Sequence, residues 1–437
     1  MKIRGLLIAV LVLLVLGGTL YWSDHHKAAD ATKPVDAPPQ ILKLDEANAT
    51  KIELRKKDTD AIALSKSSSG NWQITAPKDL PADQNAVSGV VSTLSSLNAE
   101  RVVEDKASDL KRYGLDQPIL VADLTDKSNK NHELKIGDDT PTSGGTYAML
   151  SGDPRVFTIA SYVKSSIDKS VNDLRDKRLL TVNQDKISRV ELIKPGQDIE
   201  FGRNKEDWQI VRPKPLRADG VEVGDLVRKL SEAKMDVSAT DKDAAAGFAH
   251  GSPIATAKLT DQSGSQELQV RKNKDAYFVK SSAVDGTFKV DTDLGQELNK
   301  KLDDFRNKKL FDFGFSDPNK IELHSGEKAY FLTRNGQDWW SNGKKMHPDS
   351  VQSFISKLRD LSAAKFAESG FSTPVIEATV TSDDGKRTEK VAIAKSEKKY
   401  LAKRENEPAL YEIESGPIDE LLKSADALKQ APTAPAK

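Results

Sequence analysis

The sequence predicts an α+β protein: an N-terminal transmembrane helix followed by three similar modules, each an antiparallel sheet with one or two packed helices. Three observations carry this reading. A short signature occurs three times, as Lys51-Ile52-Glu53-Leu54, Arg189-Val190-Glu191-Leu192 and Lys320-Ile321-Glu322-Leu323. A tryptophan follows the β-branched residue of each copy after 20, 18 and 18 positions, at Trp72, Trp208 and Trp339. The copies start 138 and 131 residues apart, a period far too long for a solenoid unit and suited to a domain.

The chain opens with Lys2 and Arg4, after which Gly5 to Trp22 carry no charge. As a helix this stretch rises about 27 Å, close to the hydrocarbon thickness of a bilayer. Tyr21 and Trp22 stand where an interfacial aromatic anchor belongs, and the basic residues before the span favour a cytoplasmic N-terminus. A cleaved signal peptide is the competing reading, but its nearest small-x-small site, Ala29-x-Ala31, lies well past the apolar run. Residues 1–22 are therefore expected to be a signal anchor in the inner membrane, with the bulk of the chain periplasmic. The chain has no cysteine, which excludes lipoprotein attachment, disulfides and thiol catalysis.

The net charge is +0, against the basic excess expected of a nucleic-acid binder. No second apolar run approaches membrane length. Residues 23–47, rich in Ala, Lys and Asp with Pro34, Pro38 and Pro39, read as a flexible tether of roughly 25–30 Å reach. Residues 429–437, with Pro432 and Pro435, read as a disordered tail. Between them lie modules at 48–183, 184–314 and 315–428.

Within each module the same elements are expected in order. In the first, Lys51 to Leu54, Ala61 to Leu64 and Trp72 to Thr75 form a meander, with a turn at Ser68-Ser69-Gly70-Asn71. Asp83 caps a helix whose apolar face is Val87, Val90, Val91, Leu94 and Leu97. Val223, Leu226, Val227 and Leu230 repeat that stripe after Asp219, and Val351, Phe354, Ile355, Leu358 and Leu361 repeat it again near His347. The third copy's connection is three residues shorter and holds Asn342-Gly343, which suits a tight hairpin. Turns follow at Gly114 to Pro118, Gly247 to Pro253 and Gly370 to Pro374, then further strands and a closing helix. The first two copies end alike, at Asp173 to Leu179 and Asp304 to Leu310. The third lacks that ending and stops near Leu422.

No catalytic constellation appears. The six histidines, His25, His26, His132, His250, His324 and His347, show no zinc spacing, and His25-His26 reads as a solvated pair in the tether. Asp138-Asp139, Asp303-Asp304 and Asp383-Asp384 lack the alternation of a calcium loop. Phosphate-binding and nucleophile-elbow motifs are missing, and Ser143-Gly144-Gly145 reads as a hairpin tip. The sequence thus offers no catalytic, cofactor or metal residues, and the expected protein is not an enzyme. Trp72, Trp208 and Trp339 are candidate core residues, with a ligand groove as the alternative use of their indoles. Arg175, Lys177, Arg178, Arg306, Lys308 and Lys309 are candidate contacts to a partner or to anionic headgroups; they also suit a helix C-terminus.

Several motifs together carry a resemblance: Trp72-Gln73-Ile74 with Pro77, Ala82 and Asp83; Trp208-Gln209-Ile210 with Pro213, Ala218 and Asp219; Gly114 to Pro118; and Asp173 to Leu179. Over about residues 45–425 the chain resembles a bacterial family of domains of unknown function, domain of unknown function 4340. Members of that family look like companions of ABC-type export systems, including auxiliary proteins of gliding-motility transporters. The resemblance implies no catalytic residues and no cofactor. It implies an accessory or scaffold protein partnering an ABC transporter permease or another envelope protein. The alternative is a module that binds envelope polymers or ligands in grooves between repeats.

Overall fold

The computed structural model describes residues 39–141, 144–205 and 207–432. The apolar segment 5–22, His25 and His26, the start of the expected tether and residues 433–437 lie outside the described residues. Among the described residues no helix is long and apolar enough to cross a membrane.

Each copy of the signature is the first strand of an antiparallel sheet: Ala49–Lys56, Arg189–Lys194 and Lys320–Ser325. The two-residue period of a strand puts Ile52 and Leu54, Val190 and Leu192, and Ile321 and Leu323 on the buried face. The basic residue and the Glu of each signature therefore point to the other face.

With strands counted along the chain within each sheet, the first and third sheets have nine strands in the spatial order 4-3-2-1-6-7-8-9-5. The second has eight, in the order 4-3-2-1-5-6-7-8. In each case two meanders meet at the signature strand. In the first sheet, for example, it pairs with both Ile62–Lys66 and Leu120–Asp126.

A helix leaves the short fourth strand in every copy: Gln84–Ser95, Gly220–Ser231 and Pro348–Asp360. Asp83 caps the first by accepting from Asn85 N and Ala86 N, and Asp219 caps the second in the same way through Val221 N and Glu222 N. His347 is the N-cap residue of the third without a side-chain bond, and Pro348 starts that helix at a position where no N–H is needed. Each helix buries its predicted stripe on the apolar sheet face and packs beside a closing helix: Ser161–Ile167, Thr292–Asn299 or Ser415–Asp426. Each sheet thus has its own apolar core, and burying one such Leu or Val contributes about 2 kcal/mol. The tight hairpin expected in the third copy is present, with Asn342 and Gly343 both at positive φ between paired Ser341 and Lys344.

The second sheet differs at its missing edge strand. Where the first and third sheets have Arg101–Glu104 and Lys365–Ala367, only a single bridge forms, between Asp236 and Lys289. A helix, Asp241–Ala249, follows it. Gly247 was expected in a turn but lies inside this helix. The Phe278 ring explains the glycine, since a Cβ there would stand 2.4 Å from Cζ.

The ends of the modules also correct the expectation. Residues 39–44 are not a tether: Ala99 N donates to Pro39 O, Ile41 N to Leu97 O, and Ile41 is buried. The same places are filled by Lys177 to Leu180 and by Lys308 to Phe311. Met235 N donates to Lys177 O and Ala363 N to Lys308 O, while Leu179 N and Leu310 N donate to Ala233 O and Leu361 O. Every module therefore begins with a docked lead-in segment. At the other end, Asp83 N donates to Leu174 O, Asp219 N to Phe305 O and His347 N to Lys429 O. The third copy thus closes like the others without their sequence ending. Lys429 to Ala431, expected in the tail, are held by backbone bonds, Ala431 N donating to Lys345 O. The chain divides after Asp176 into two compact units, the second of which holds the second and third sheets.

Candidate functional site

The most specialised chemistry in the chain lies where the second sheet meets the third. It begins with the backbone. Asn307 N donates to Arg217 O, and Arg306 bridges Ala218, so the connector leaves the second module beside its fourth strand, Leu216–Arg217. From Lys308 onward it belongs to the third module. This places the Arg217 side chain against Asp312, Glu407 and Tyr411 of the third module.

The Arg217 guanidinium pairs with Asp312, reaches Glu407 at 3.0 Å and donates to Tyr411 Oη at 3.0 Å and to Lys309 O. Behind it Arg404, only 9% exposed, donates to Glu389 at 2.9 Å, to Glu407 at 2.8 Å and to Leu310 O. Glu389 accepts from Asp312 N at 3.1 Å, and Arg387 adds a bond to Glu389 at 3.1 Å. Asn307 Nδ2 donates to Asp312 at 3.1 Å. Burial opposes the Arg217 cation, but Tyr411, Asp312 and Glu407 outweigh it and raise its pKa. Burial, with Glu407 assisting, also pushes the Tyr411 hydroxyl up. The network is a chain of interlocked opposite charges that ties the second module to the third. A cleft of about 430 Å³ opens beside it, lined by Trp208, Arg217, Asn307, Asp312 and Arg387.

Trp72 and Trp339 are buried in their cores, at 5% and 6% exposure. Trp208 departs from them: it packs on its core but stays half-exposed, under Arg203 and along the cleft. The basic residues picked out at the module ends all take part in backbone bridges or bonds, Lys177 and Lys308 through their carbonyls. Arg175 bridges Ala82, Arg178 bridges Lys234, Lys309 bridges Ser362, and the Lys177 and Lys308 carbonyls accept the bonds already described. Arg306 adds side-chain contacts, with its guanidinium 3.3 Å from the centre of the Phe366 ring and bonded to Asp303 at 2.9 Å.

Among the described residues no group of three His, Asp or Glu side chains could hold a metal. Asp139 binds Lys164 and Thr146, and Asp383 and Asp384 sit at positive φ in a turn. His132 lies 3.3 Å from Asp126, and His324 packs edge-on against Phe331.

The outer sheet faces, where the signature Glu points, diverge between copies. In the first, Arg55 gathers Glu53, Asp123 and Glu133 at 3.1, 2.8 and 3.1 Å, and burial raises the pKa of Asp123 against the opposing pull of Asn131 and Arg55. In the second, Arg189 and Arg212 both reach Glu191 and Glu200. In the third, Glu322 pairs with Lys320, and the face instead exposes Phe331 and Trp340. Sequence reading missed Arg217, Asp312, Glu389 and Arg404. It also missed the lead-in segments, whose signal is that Ile41, Leu179 and Leu310 each stand 11 residues before Ile52, Val190 and Ile321.

These features define a repeat protein of α+β modules with a charge-locked joint between the last two. The chain matches the family described as Domain of unknown function (DUF4340) over residues 72–210 and 208–381, and it belongs to that family. The matched segments run from tryptophan strand to the next module, out of phase with the sheets. No curated protein matches. Solved structures aligned with the chain include the DNA polymerase III subunit beta from Pseudomonas aeruginosa, at 8% identity and TM-score 0.14, covering 86% of this chain and 94% of that one. A DNA polymerase sliding clamp from the same organism aligns at 8% identity and TM-score 0.15, over 84% and 91%. Superposition at that level carries no argument about fold or function.

Proposed function

We propose that this chain is a non-enzymatic, membrane-anchored extracytoplasmic scaffold that serves as an accessory protein of an ABC-type transport system. One observation carries the reading: the positions that recur in all three copies have architectural roles. The signature residues build central strands, the stripes fill cores, and the lead-in and closing segments tie each module to its own helix. A triplicated active site would instead repeat a polar constellation, and the polar outer faces differ from copy to copy. Residues 5–22 would hold the chain in the inner membrane, N-terminus inside, with the modules in the periplasm. The transporter association rests on the resemblance of family members to companions of ABC-type export systems, which is analogy.

Pull-down of the full-length chain from detergent-solubilised membranes tests this. Recovery of an ABC permease or its ATPase is expected, with loss of recovery when residues 1–22 are deleted. Repeated recovery of neither would overturn the reading. The half-exposed Trp208 beside the junction cleft favours a second reading, binding of an envelope polymer or ligand. A soluble form beginning at residue 39, where the docked chain starts, would then bind peptidoglycan or polysaccharide unaided.

A further inference from the structure

The joint between the second and third modules shows what covers the fourth-strand edge of a module. In the second module that edge is Leu216–Arg217, facing Gln209 across the sheet, and the third module covers it with Asp312, Glu407 and Tyr411. In the third module the matching edge is Lys344–Lys345, and Lys345 faces Trp340 as Arg217 faces Gln209. Both lysines are exposed and Trp340 is 37% exposed. Lys345 touches Asp338 at 2.8 Å, a pair nearly half exposed on both sides and so weakly held in water. Ala431 N bonds the backbone of this edge as Asn307 N bonds that of Arg217, but among the described residues no further sheet covers its side chains.

We infer that the edge formed by Trp340, Lys344 and Lys345 is a docking surface for an Asp- or Glu-bearing loop of a partner protein, seated as the third module's acidic turn is seated on Arg217. The inference rests on the accessory reading above and names the chemistry of the contact. Charge complementarity commits it to an acidic occupant, with the indole supplying apolar area beside the cations. A second copy docking head-to-tail fits poorly. The first module carries Lys43 where the third has Asp312, Phe157 where it has Tyr411, and its Asp153 is already clamped by Arg155 at 2.6 Å. Like charges would face each other, which opposes filament growth.

The test places photoreactive p-benzoylphenylalanine at Trp340 in the full-length chain in its own membranes, with crosslinked peptides mapped by mass spectrometry. The same probe at Gln209 is the control and should crosslink to the chain's own residues 404–411. The expected product at Trp340 is an acidic segment of another protein. Its yield should fall at least about tenfold in Lys344→Glu/Lys345→Glu and fall on raising salt. An unchanged melting temperature of that variant shows that the fold is intact. The inference is overturned by no protein crosslink while the control works. Crosslinks to lipid, to residues 433–437 or to a second copy, or a yield indifferent to charge reversal, overturn it equally. A permease recovered by pull-down without a Trp340 crosslink sinks this surface alone. A crosslink to an acidic segment of a protein unrelated to transport keeps the surface and sinks the transporter reading.

Discussion

The lead-in sites of the second and third modules perform one task with opposite chemistry. In the second module Thr181 N donates to Gln266 at 2.8 Å, Gln266 returns a bond to Thr181 Oγ1 at 2.8 Å, and Ser281 donates to Leu179 O. In the third module Asp312 N donates to Glu389, and Arg404 donates to Leu310 O. The backbone pattern is the same; three neutral side chains have become two acids and an arginine. The fold therefore does not require charge at this site. Charge brings a reach beyond the module, because Asp312 and Glu407 can also hold Arg217 of the preceding one. At the position of Arg217 the first module has Pro81, which accepts the same backbone bond from Asp176 N and offers no cation.

The charged site is most sensitive at its buried arginine. Arg404→Ala leaves Glu389, 4% exposed, without its main partner, and truncating one member of a buried pair costs about 3–5 kcal/mol. Ser281→Ala in the second module should cost only about 1 kcal/mol. Chemical denaturation of the two variants checks this, and equal losses would refute the distinction. Converting the third site to the second, by Asp312→Thr, Glu389→Gln and Arg404→Ser together, removes all three charges at once. It should destabilise less than Arg404→Ala alone, because the buried Glu389 charge is removed with Arg404, while Arg217 and Glu407, which lose Asp312 and Arg404, still pair with each other at 3.0 Å. A triple variant less stable than the single would show that the charges stabilise the third module itself.

The tryptophans give a further contrast between the modules. Trp72→Ala empties a core position and should cost about 3–5 kcal/mol, whereas Trp208→Ala, at a half-exposed site, should cost roughly 1–2 kcal/mol. Urea melts that ranked them in the reverse order would contradict the placement of Trp208.

The smallest effect expected is at the single bridge that replaces the second sheet's edge strand. Hydrogen bonds from Ser238, then Lys289, lower the Asp236 pKa to about 2. A carboxylate held below its ordinary value of about 4 stabilises the fold above that pH and loses the contribution as pH falls through about 2. The melting temperature of Asp236→Asn should accordingly fall less between pH 4 and pH 2 than that of the parent. Parallel pH curves would remove Asp236 from the account.

Most of the fold was legible because it is periodic. Alternation about Ile52 and Leu54 sets a sheet face, and Val87, Val90, Val91 and Leu94 set a helix face, in each of three copies. Departures arose where tertiary packing decides. Gly247 reads as a turn until Phe278 is seen against it, and Pro38-Pro39 reads as a linker although Pro39 already accepts a bond from Ala99. The joint was illegible for a different reason. Arg217, Asp312, Glu389 and Arg404 are far apart in sequence, do not recur between copies, and look like ordinary surface charges until the folded chain brings them together.

Arg217 couples the second and third modules through Asp312, Glu407 and Tyr411. Hydrogen exchange on the full-length chain, comparing the parent with Arg217→Ala, tests it most directly. Faster exchange is expected in the variant on both sides of the joint, at residues 305–312 and 404–412, with the core of the second sheet around Val190 and Leu259 unchanged. Protection that stays the same at both segments would contradict it.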